Sequence, residues 1–257
     1  MSANLATATD RKAIRAIQAT KHRLEQEQCR RSAHHFIFKS GLVTKDEHNA
    51  LDPIRPFPDE LYLRALLDHL LLAGRFQEPA NAIYSAQAGY DDFFRRACYE
   101  SRLLAVEKSR QMIVTWLVSA YALWRAKFHD HQLVLWQSKR EDDAANVVFN
   151  KEIFIARISF MESHLQKHLQ TVRFPQAGSY GQITFPNGSR IWGIPQGGDI
   201  IRSNTASCIV SDEAAFQPEF GASVAAALPA IKGQGQGQYI AISSAEPGDF
   251  QAFVEAA

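Results

Sequence analysis

The stretch Leu103–Trp116, with the sequence LLAVEKSRQMIVTW, decides the fold of this chain. Its first four residues are apolar and predict a short buried strand. Glu107–Val114 is a polar, bent connection, and from Thr115 onward apolar residues recur with the spacing of a helix. A strand, a loop and a helix N-terminus in this order form the frame of a phosphate-binding loop, because the free amide N–H groups of the first helical turn and the helix dipole both favour an anion.

The residues of this loop depart from the usual phosphate-loop pattern, G-x-x-x-x-G-K-[ST]. If Thr115 takes the final hydroxyl position, Val114 stands in place of the lysine and Ile113 in place of the second glycine. A phosphate cradle needs a cation and amide groups, not a fixed position in the sequence. Lys108 and Arg110, on the strand side of the loop, are the two candidates for that cation. In the alternative interpretation the loop no longer binds nucleotide and Lys108 is a solvated charge.

Composition indicates a globular protein with a sizeable core. The chain has 257 residues, of which 46% are hydrophobic, and a formal net charge of +1, which gives no global bias toward nucleic acid. The three cysteines are far apart, so we expect reduced thiols. The N-terminus lacks a signal-peptide pattern, and the apolar segment Leu61–Leu72 carries charges and is too short to span a bilayer, so no membrane association is expected.

The first part of the chain predicts a helical arm followed by an extended segment. Asp10–Arg31 is a helix candidate with Asp10 as N-cap. Its many basic residues form either an arm that faces DNA or a partner, or a solvated helix face. The acidic residues of the same segment favour the solvated face. The proline-rich segment Asp46–Pro58 should not be helical. A further helix is predicted from Asp59 to Gly74. We therefore expect an arm over residues 1–58 and an α/β domain over residues 59–257.

Strands and helices alternate through the rest of the chain. Each strand is almost wholly apolar, which indicates an α/β fold with a mostly parallel sheet covered by helices on both faces. The predicted strands are His131–Gln137, a hairpin of Gln182–Phe185 and Arg190–Ile194, Ser207–Val210 and Tyr239–Ile242. Helices are predicted from Ser138 to Ile158 and over Ala222–Leu228, and Gly233–Gln238 is predicted as a flexible turn.

Three polar clusters follow predicted strands, at Glu107–Arg110, Asp212–Glu213 and Ser243–Ser244. In such sheets ligands bind beyond the carboxyl ends of the strands. Asp212 suits a place beside Mg²⁺, together with the hydroxyl of Thr115, and Glu213 suits the polarisation of an attacking water. The same acid pair could instead mark an ordinary helix N-terminus. Arg202, in the connection before the acid pair, could sense the γ-phosphate or could lie in a plain loop.

These motifs together resemble the ATPase domain of the large terminase subunit, the genome-packaging motor of tailed phages. The resemblance rests on Glu107–Trp116 as a variant phosphate loop, Ile209–Phe216 as the acidic motif and Ile242–Ala245 as the coupling motif. It also includes Phe36–Phe38 and Asp52–Pro58 as the adenine side. It implies nucleotide contacts from Lys108, Ser109, Arg110, Gln111, Met112, Ile113, Val114, Thr115, Trp116, Phe57 and Pro58. It implies that Ser243, Ser244 and Ala245 couple hydrolysis to movement.

The resemblance implies a P-loop NTPase fold with a RecA/ASCE-like core. It also implies an ATPase that uses ATP and Mg²⁺ to drive double-stranded viral DNA into a procapsid. Glu213, Lys108 and Arg110 would act in catalysis. Expected partners are DNA, a portal protein and a small terminase subunit, with a homo-oligomeric ring in the motor and a monomer in isolation. The expected location is the host cytoplasm, transiently at the procapsid portal vertex. Because the chain ends shortly after the coupling motif, the family's nuclease domain and DNA cleavage are not expected.

Two other functions fit the same residues. One is a helicase-like, nucleic-acid-dependent ATPase, which a second RecA-like lobe would favour. The other is a P-loop domain that has lost catalysis and serves assembly, which nucleotide titration would separate from the enzymes. A dinucleotide-dependent dehydrogenase is disfavoured, because no G-x-G-x-x-G follows the first strand.

Overall fold

A computed structural model describes residues 8–46, 49, 51–76, 102–109, 112–139, 157–172, 181–233 and 237–256. Two short strands, β1 (Val43–Lys45) and β2 (Ile54–Pro56), pair antiparallel. The six strands of the main sheet are β3 (Leu103–Glu107), β4 (Leu133–Gln137), β5 (Gln182–Thr184), β6 (Arg190–Ile194), β7 (Cys208–Asp212) and β8 (Gln238–Ser243).

The sheet has the order β3-β8-β7-β4-β6-β5, and all neighbouring pairs except β5–β6 are parallel. One strand, β8, therefore lies between the strand of the phosphate-loop candidate and the strand of the acid pair. In the register, Glu107 is opposite Ser243 and Asp212 is opposite Ile242. The three polar clusters thus meet at one edge of the sheet, as the sequence predicted. The α/β fold with a mostly parallel sheet is confirmed.

Helices cover both faces of the sheet. They are α1 (Ala8–Arg31), α2 (Ala33–Lys39), α3 (Leu61–Ala73), α4 (Val114–Phe128), α5 (Arg157–His164), α6 (Asp199–Arg202), α7 (Phe220–Gly233) and α8 (Asp249–Ala256), with a 3₁₀ turn over Ala214–Phe216. On one face, α2 to α5 enclose a hydrophobic core with Trp136 and Val210. On the other face, α6 to α8 pack over Leu135, Ile209 and Tyr239.

The central helix α4 lies in the middle of the first core. Almost all of its residues are buried, so it is apolar on every side rather than amphipathic. Its indole Trp124 donates a hydrogen bond of 2.8 Å from Nε1 to the carbonyl of Cys29 near the end of α1. This contact fixes the carboxyl-terminal end of α1 to the domain.

The predicted elements of the first part of the chain are mostly present. Helix α1 begins at Ala8, so Asp10 lies inside its first turn and is not the N-cap. Its apolar residues Ile14, Ile17 and Leu24 are exposed, while Cys29 is buried. Residues 51–58 are not helical, and α3 ends before Gly74, as predicted.

Two predicted elements do not match the structure in the same way: one lies mostly outside the described residues, and one is partly wrong. Most of the helix predicted from Ser138 lies outside the described residues, and α5 contains only its end. Gln238, predicted as part of a flexible turn, is instead a fully buried first residue of β8. None of the helices in the described ranges has the length and apolar character needed to cross a bilayer.

Candidate nucleotide-binding site

The phosphate-loop candidate leaves the sheet directly after β3. The amide of Lys108 donates a 2.9 Å hydrogen bond to the carbonyl of Ser243, which extends the β3–β8 pairing by one residue. Helix α4 then starts at Val114, one residue before the predicted start. Ser109 and Met112 flank Arg110 and Gln111, which lie outside the described residues.

Ile113 is the N-cap of α4 and has a left-handed backbone, with φ 56° and ψ 8°. A β-branched residue rarely adopts this conformation, at a cost of about 1–3 kcal/mol, and the sequence suggested that isoleucine would disfavour it. Ile113 nevertheless makes the turn that a phosphate loop assigns to glycine. Its carbonyl accepts a 3.0 Å hydrogen bond from the amide of Leu117, which continues the helix. Val114 is buried, so its side chain packs inside the protein.

The carboxylate of Asp212 and the hydroxyl of Thr115 meet at the start of α4. Thr115 Oγ1 donates to Asp212 Oδ1 over 3.2 Å, although the two residues lie on different elements. Asp212 is the last residue of β7, and burial raises the pKa of its carboxyl. The positive charge of Arg157 opposes this rise in pKa most strongly, Glu213 adds to it, and Lys108 and the Thr115 hydrogen bond also oppose it.

Glu213 follows Asp212 in a left-handed conformation, with φ 53° and ψ 45°. This backbone turns its side chain away from the strand direction and leaves it 45% exposed, in contrast to Asp212. Its Oε1 lies 3.3 Å from Nζ of Lys108, whose side chain is 10% exposed. The structure therefore brings together Lys108, Thr115, Asp212 and Glu213, four of the predicted site residues.

Ser243, the predicted coupling residue, contacts both halves of this cluster. Its carbonyl accepts from Lys108 as described, and its buried hydroxyl Oγ accepts from the amide of Ala215 over 3.1 Å. One residue of β8 thus holds the beginning of the phosphate loop and the turn that follows Glu213. Ser244 is half-buried and Ala245 is exposed just beyond the strand.

On the predicted adenine side, Phe57 is buried in the core and contacts Phe38 edge to face, with ring centroids 5.9 Å apart, and Pro58 is partly buried. A residue that the sequence reasoning missed lies closer to the loop. Tyr62 is 42% exposed, and its hydroxyl donates to the carbonyl of Met112 over 3.2 Å. Nothing in the sequence marks Tyr62, because its contact joins two distant parts of the chain.

Arg202, the predicted sensor, lies on α6 with 58% of its side chain exposed. Its guanidinium Nη1 lies 3.0 Å from Oδ1 of Asp199 on the same helix. Within the described ranges, no hydrogen bond or ion pair joins Arg202 to Lys108, Thr115 or Glu213. A role of Arg202 toward phosphate stays a prediction.

A second missed residue is Arg157, the first residue of α5. Its guanidinium carbon lies 5.8 Å from the ring centroid of Trp116, the residue after Thr115. Its Nε atom is inaccessible to solvent and has no hydrogen-bond partner among the described residues. Nothing in the sequence around Arg157 marks it as functional, because the contact joins two distant parts of the chain.

The donor set at this edge fits Mg²⁺ bound together with phosphate. Mg²⁺ takes oxygen ligands and is usually held by one or two carboxylates plus phosphates and water, which Thr115 and Asp212 would satisfy from the protein side. Over the described ranges, no group of three or more His, Cys, Asp or Glu residues is placed to hold a metal by itself. The geometry therefore suits a metal that arrives with a nucleotide.

Comparison with known proteins identifies the fold through structure. No family description matches the sequence, and no curated protein matches it. The large terminase of bacteriophage HK97 superimposes on 89% of this chain with a TM-score of 0.59 and 12% identity, and the chain spans 41% of that protein.

Two further structures superimpose less well. The large terminase ATPase domain of Thermus phage P74-26 covers 59% of this chain and is itself 62% covered, with a TM-score of 0.39 and 16% identity. A large terminase from a thermophilic bacteriophage, solved in complex with ADP, covers 55% of this chain and is 33% covered, with a TM-score of 0.40 and 14% identity. The superposition on the HK97 protein confirms the resemblance at the level of the fold: this chain has the fold of a phage large terminase over the part that superimposes.

Proposed function

We propose that this chain binds ATP with Mg²⁺ at the edge where β3, β7 and β8 end, and hydrolyses it. The observation that carries the proposal is the convergence of Lys108, Thr115, Asp212 and Glu213 from two segments about a hundred residues apart. A cation and a hydroxyl lie at the start of a helix, and two carboxylates of different exposure face them. This is the set of groups that phosphoryl transfer to water requires.

Each of these groups has a part in the proposed reaction. Amide groups at the start of α4 and the ammonium of Lys108 bind the phosphates. Thr115 and Asp212 would hold Mg²⁺, which would supply positive charge to the phosphate oxygens. Glu213, the more exposed acid, orients a water and accepts its proton. Because Lys108 now contacts Glu213, phosphate must draw Lys108 away before Glu213 can bind that water.

We further propose that hydrolysis powers translocation of double-stranded viral DNA into a procapsid. The fold shared with the HK97 large terminase supports this role. Under the proposal, the chain works in a homo-oligomeric ring with a portal protein and a small terminase subunit. It acts in the host cytoplasm, at the portal vertex of the procapsid.

The first test is calorimetric titration of the full chain with a nonhydrolysable ATP analogue, with and without Mg²⁺, followed by phosphate-release assays with ATP. We expect Mg²⁺-dependent binding. Glu213→Gln should bind the analogue like the parent but lose turnover by orders of magnitude, because glutamine cannot accept the proton. Glu219→Gln, an exposed acid six residues further on, is the matched control and should keep parental turnover.

The outcomes separate the possible functions. Absence of binding by the parent would leave a P-loop domain that serves assembly, and unchanged turnover in Glu213→Gln would remove Glu213 from the mechanism. DNA translocation needs a separate assay, in which the chain is added to procapsids, portal and small subunit and protected DNA is measured. No ATP-dependent protection of DNA in that mixture would contradict the packaging role.

A further inference from the structure

The described part of the site holds more negative than positive charge. Asp212 and Glu213 face a single ammonium, that of Lys108, and this ammonium already lies 3.3 Å from Glu213. The position that usually carries the loop lysine is the buried Val114. A nucleoside triphosphate is still net negative when it carries one Mg²⁺, so a second side-chain cation near the Thr115–Asp212 pair would favour binding.

Arg157 has the position for this task, and its Nε has no hydrogen-bond partner among the described residues. Its guanidinium packs on Trp116, and Trp116 is fixed beside Thr115 at the first turn of α4. Its positive charge also interacts with the carboxylate of Asp212. A cation on an aromatic face keeps its outward N–H groups available, since the ring contacts only the plane of the guanidinium.

The Nε atom of Arg157 is the observation that points to a ligand. A buried N–H without an acceptor destabilises the folded chain, and buried polar groups in proteins are nearly always satisfied. Among the described residues this N–H has none. Guanidinium groups bind phosphate through two parallel N–H groups, one of which can be Nε.

Building on the proposed ATP site, we propose that Arg157 binds the terminal phosphate of the nucleotide and supplies a cation that the loop lacks at Val114. The position of Arg157 relative to Thr115 and Asp212 determines which phosphate Arg157 contacts. Thr115 and Asp212 would hold the Mg²⁺ that accompanies the terminal phosphates, and Arg157 lies on their side of the site, on the ring of Trp116 next to Thr115. Arg157 therefore distinguishes ATP from ADP, while Lys108 serves the phosphates common to both.

The test compares the affinities of the full chain for a nonhydrolysable ATP analogue and for ADP, both with Mg²⁺. Arg157→Met keeps an apolar stem on Trp116 and removes the charge. We expect the affinity for the analogue to fall by about tenfold or more, as for loss of a charge-assisted contact, with ADP affinity within about twofold. Arg157→Lys should recover part of the loss, because it restores the charge but not the planar fork.

Arg190→Met is the matched control. Arg190 lies 5.8 Å from the ring centroid of Trp192, the same kind of contact at the same distance, but at the first residue of β6 and thus at the opposite edge of the sheet. It should leave the affinities for both nucleotides unchanged. Thermal unfolding of each variant is followed alongside, and the Arg157→Lys comparison carries the test if Arg157→Met does not fold.

Each result has one meaning. Equal losses for the analogue and ADP, or no loss for either, in a folded variant would overturn the proposal and leave Arg157 a structural contact of Trp116. If Arg157→Lys discriminates between the two nucleotides as the parent does while Arg157→Met does not fold, the proposal also fails. A parent that binds neither nucleotide would instead overturn the ATP site itself.

Discussion

Lys108 connects the two halves of the candidate site, since its amide pairs with β8 and its ammonium contacts Glu213. We expect Lys108→Ala to weaken binding of the ATP analogue by roughly 1.5–3 kcal/mol, because it removes a charge-assisted contact to phosphate. Turnover should fall as well. Calorimetric affinity and steady-state phosphate release measure the two effects.

Two variants sharpen this prediction. Lys108→Arg should restore binding only in part, because a planar fork replaces a point charge in a narrow site. Arg110→Ala, measured side by side, tests the other candidate cation of the loop. Parental binding and turnover in Lys108→Ala would show that the cation of the loop is not Lys108.

Burial of the ionised carboxylate of Asp212 lowers the stability of the folded chain. Burial raises the pKa of its carboxyl above the value in the unfolded chain, so ionisation of Asp212 opposes folding once the pH rises above the unfolded pKa. Asp212→Asn should therefore raise the free energy of unfolding of the nucleotide-free protein at neutral pH by about 1 kcal/mol, or about 2–4 °C in Tm.

The pH dependence gives this prediction its control. The advantage of Asp212→Asn should disappear below about pH 4, where aspartate is protonated in both the folded and the unfolded chain. The same variant should lose the Mg²⁺ dependence of nucleotide binding. Thermal melts from pH 3 to 8 measure the first effect, and a variant less stable than the parent at pH 7 would contradict the prediction.

At the scale of residues, the sequence predicted the polar groups at the ends of strands and at the start of the next helix. It missed the side chains that other helices bring into contact with the phosphate loop. Thr115, Asp212 and Glu213 could be found because parallel strands end at one edge, whatever the details of packing. Tyr62 and Arg157 could not, since their contacts with Met112 and Trp116 depend on how separate helices pack. Ile113 shows a further limit, because its surroundings impose a backbone that its side chain disfavours.

At the scale of elements, α4 is joined to the sheet by a buried polar network around Gln238. Its Oε1 accepts from Tyr121 over 2.8 Å and from Arg125 over 3.0 Å, and its Nε2 donates to the carbonyl of Leu70 over 2.9 Å. Sequence reasoning placed Gln238 in a turn because glutamine after a glycine-rich run is polar. The residue is buried because α3 and α4 supply its partners.

We expect Gln238→Leu to lower the free energy of unfolding by about 2–4 kcal/mol, since it removes an acceptor shared by two buried donors and a donor to a third group. Urea unfolding measures this change. Gln251→Leu, at an exposed position of α8, should change stability by less than about 0.5 kcal/mol. Equal effects of the two substitutions would show that the network contributes little.

At the scale of the whole molecule, the mostly parallel sheet and the place of the polar clusters at the ends of its strands followed from the alternating pattern, whereas the order of the strands came from the structure alone. The sequence could not reveal how α1 is attached, because a contact such as that between Trp124 and Cys29 depends on the final packing. Arg202 is exposed and lies outside the cluster of Lys108 and Glu213.

We expect the isolated chain to hydrolyse ATP slowly, with a rate per molecule that rises with protein concentration. Ring motors commonly supply an arginine from a neighbouring subunit, which can matter by about 10³–10⁵ in rate. Phosphate release over a hundredfold dilution series, with light scattering to follow association, measures this. Fast hydrolysis that is independent of concentration would show that one copy contains every cation it needs.

The network at Gln238 also fixes the middle of α4 to the sheet. Tyr121 is hydrogen-bonded to β8 six residues beyond Thr115, so about 9 Å of helix separates this fixed point from Thr115 in the proposed phosphate site. Trp124 lies on the other side of Tyr121 and hydrogen-bonds the carbonyl of Cys29 near the end of α1. We therefore expect a small tilt of α4, made when nucleotide binds at Thr115, to swing the 24-residue arm α1 in the opposite direction.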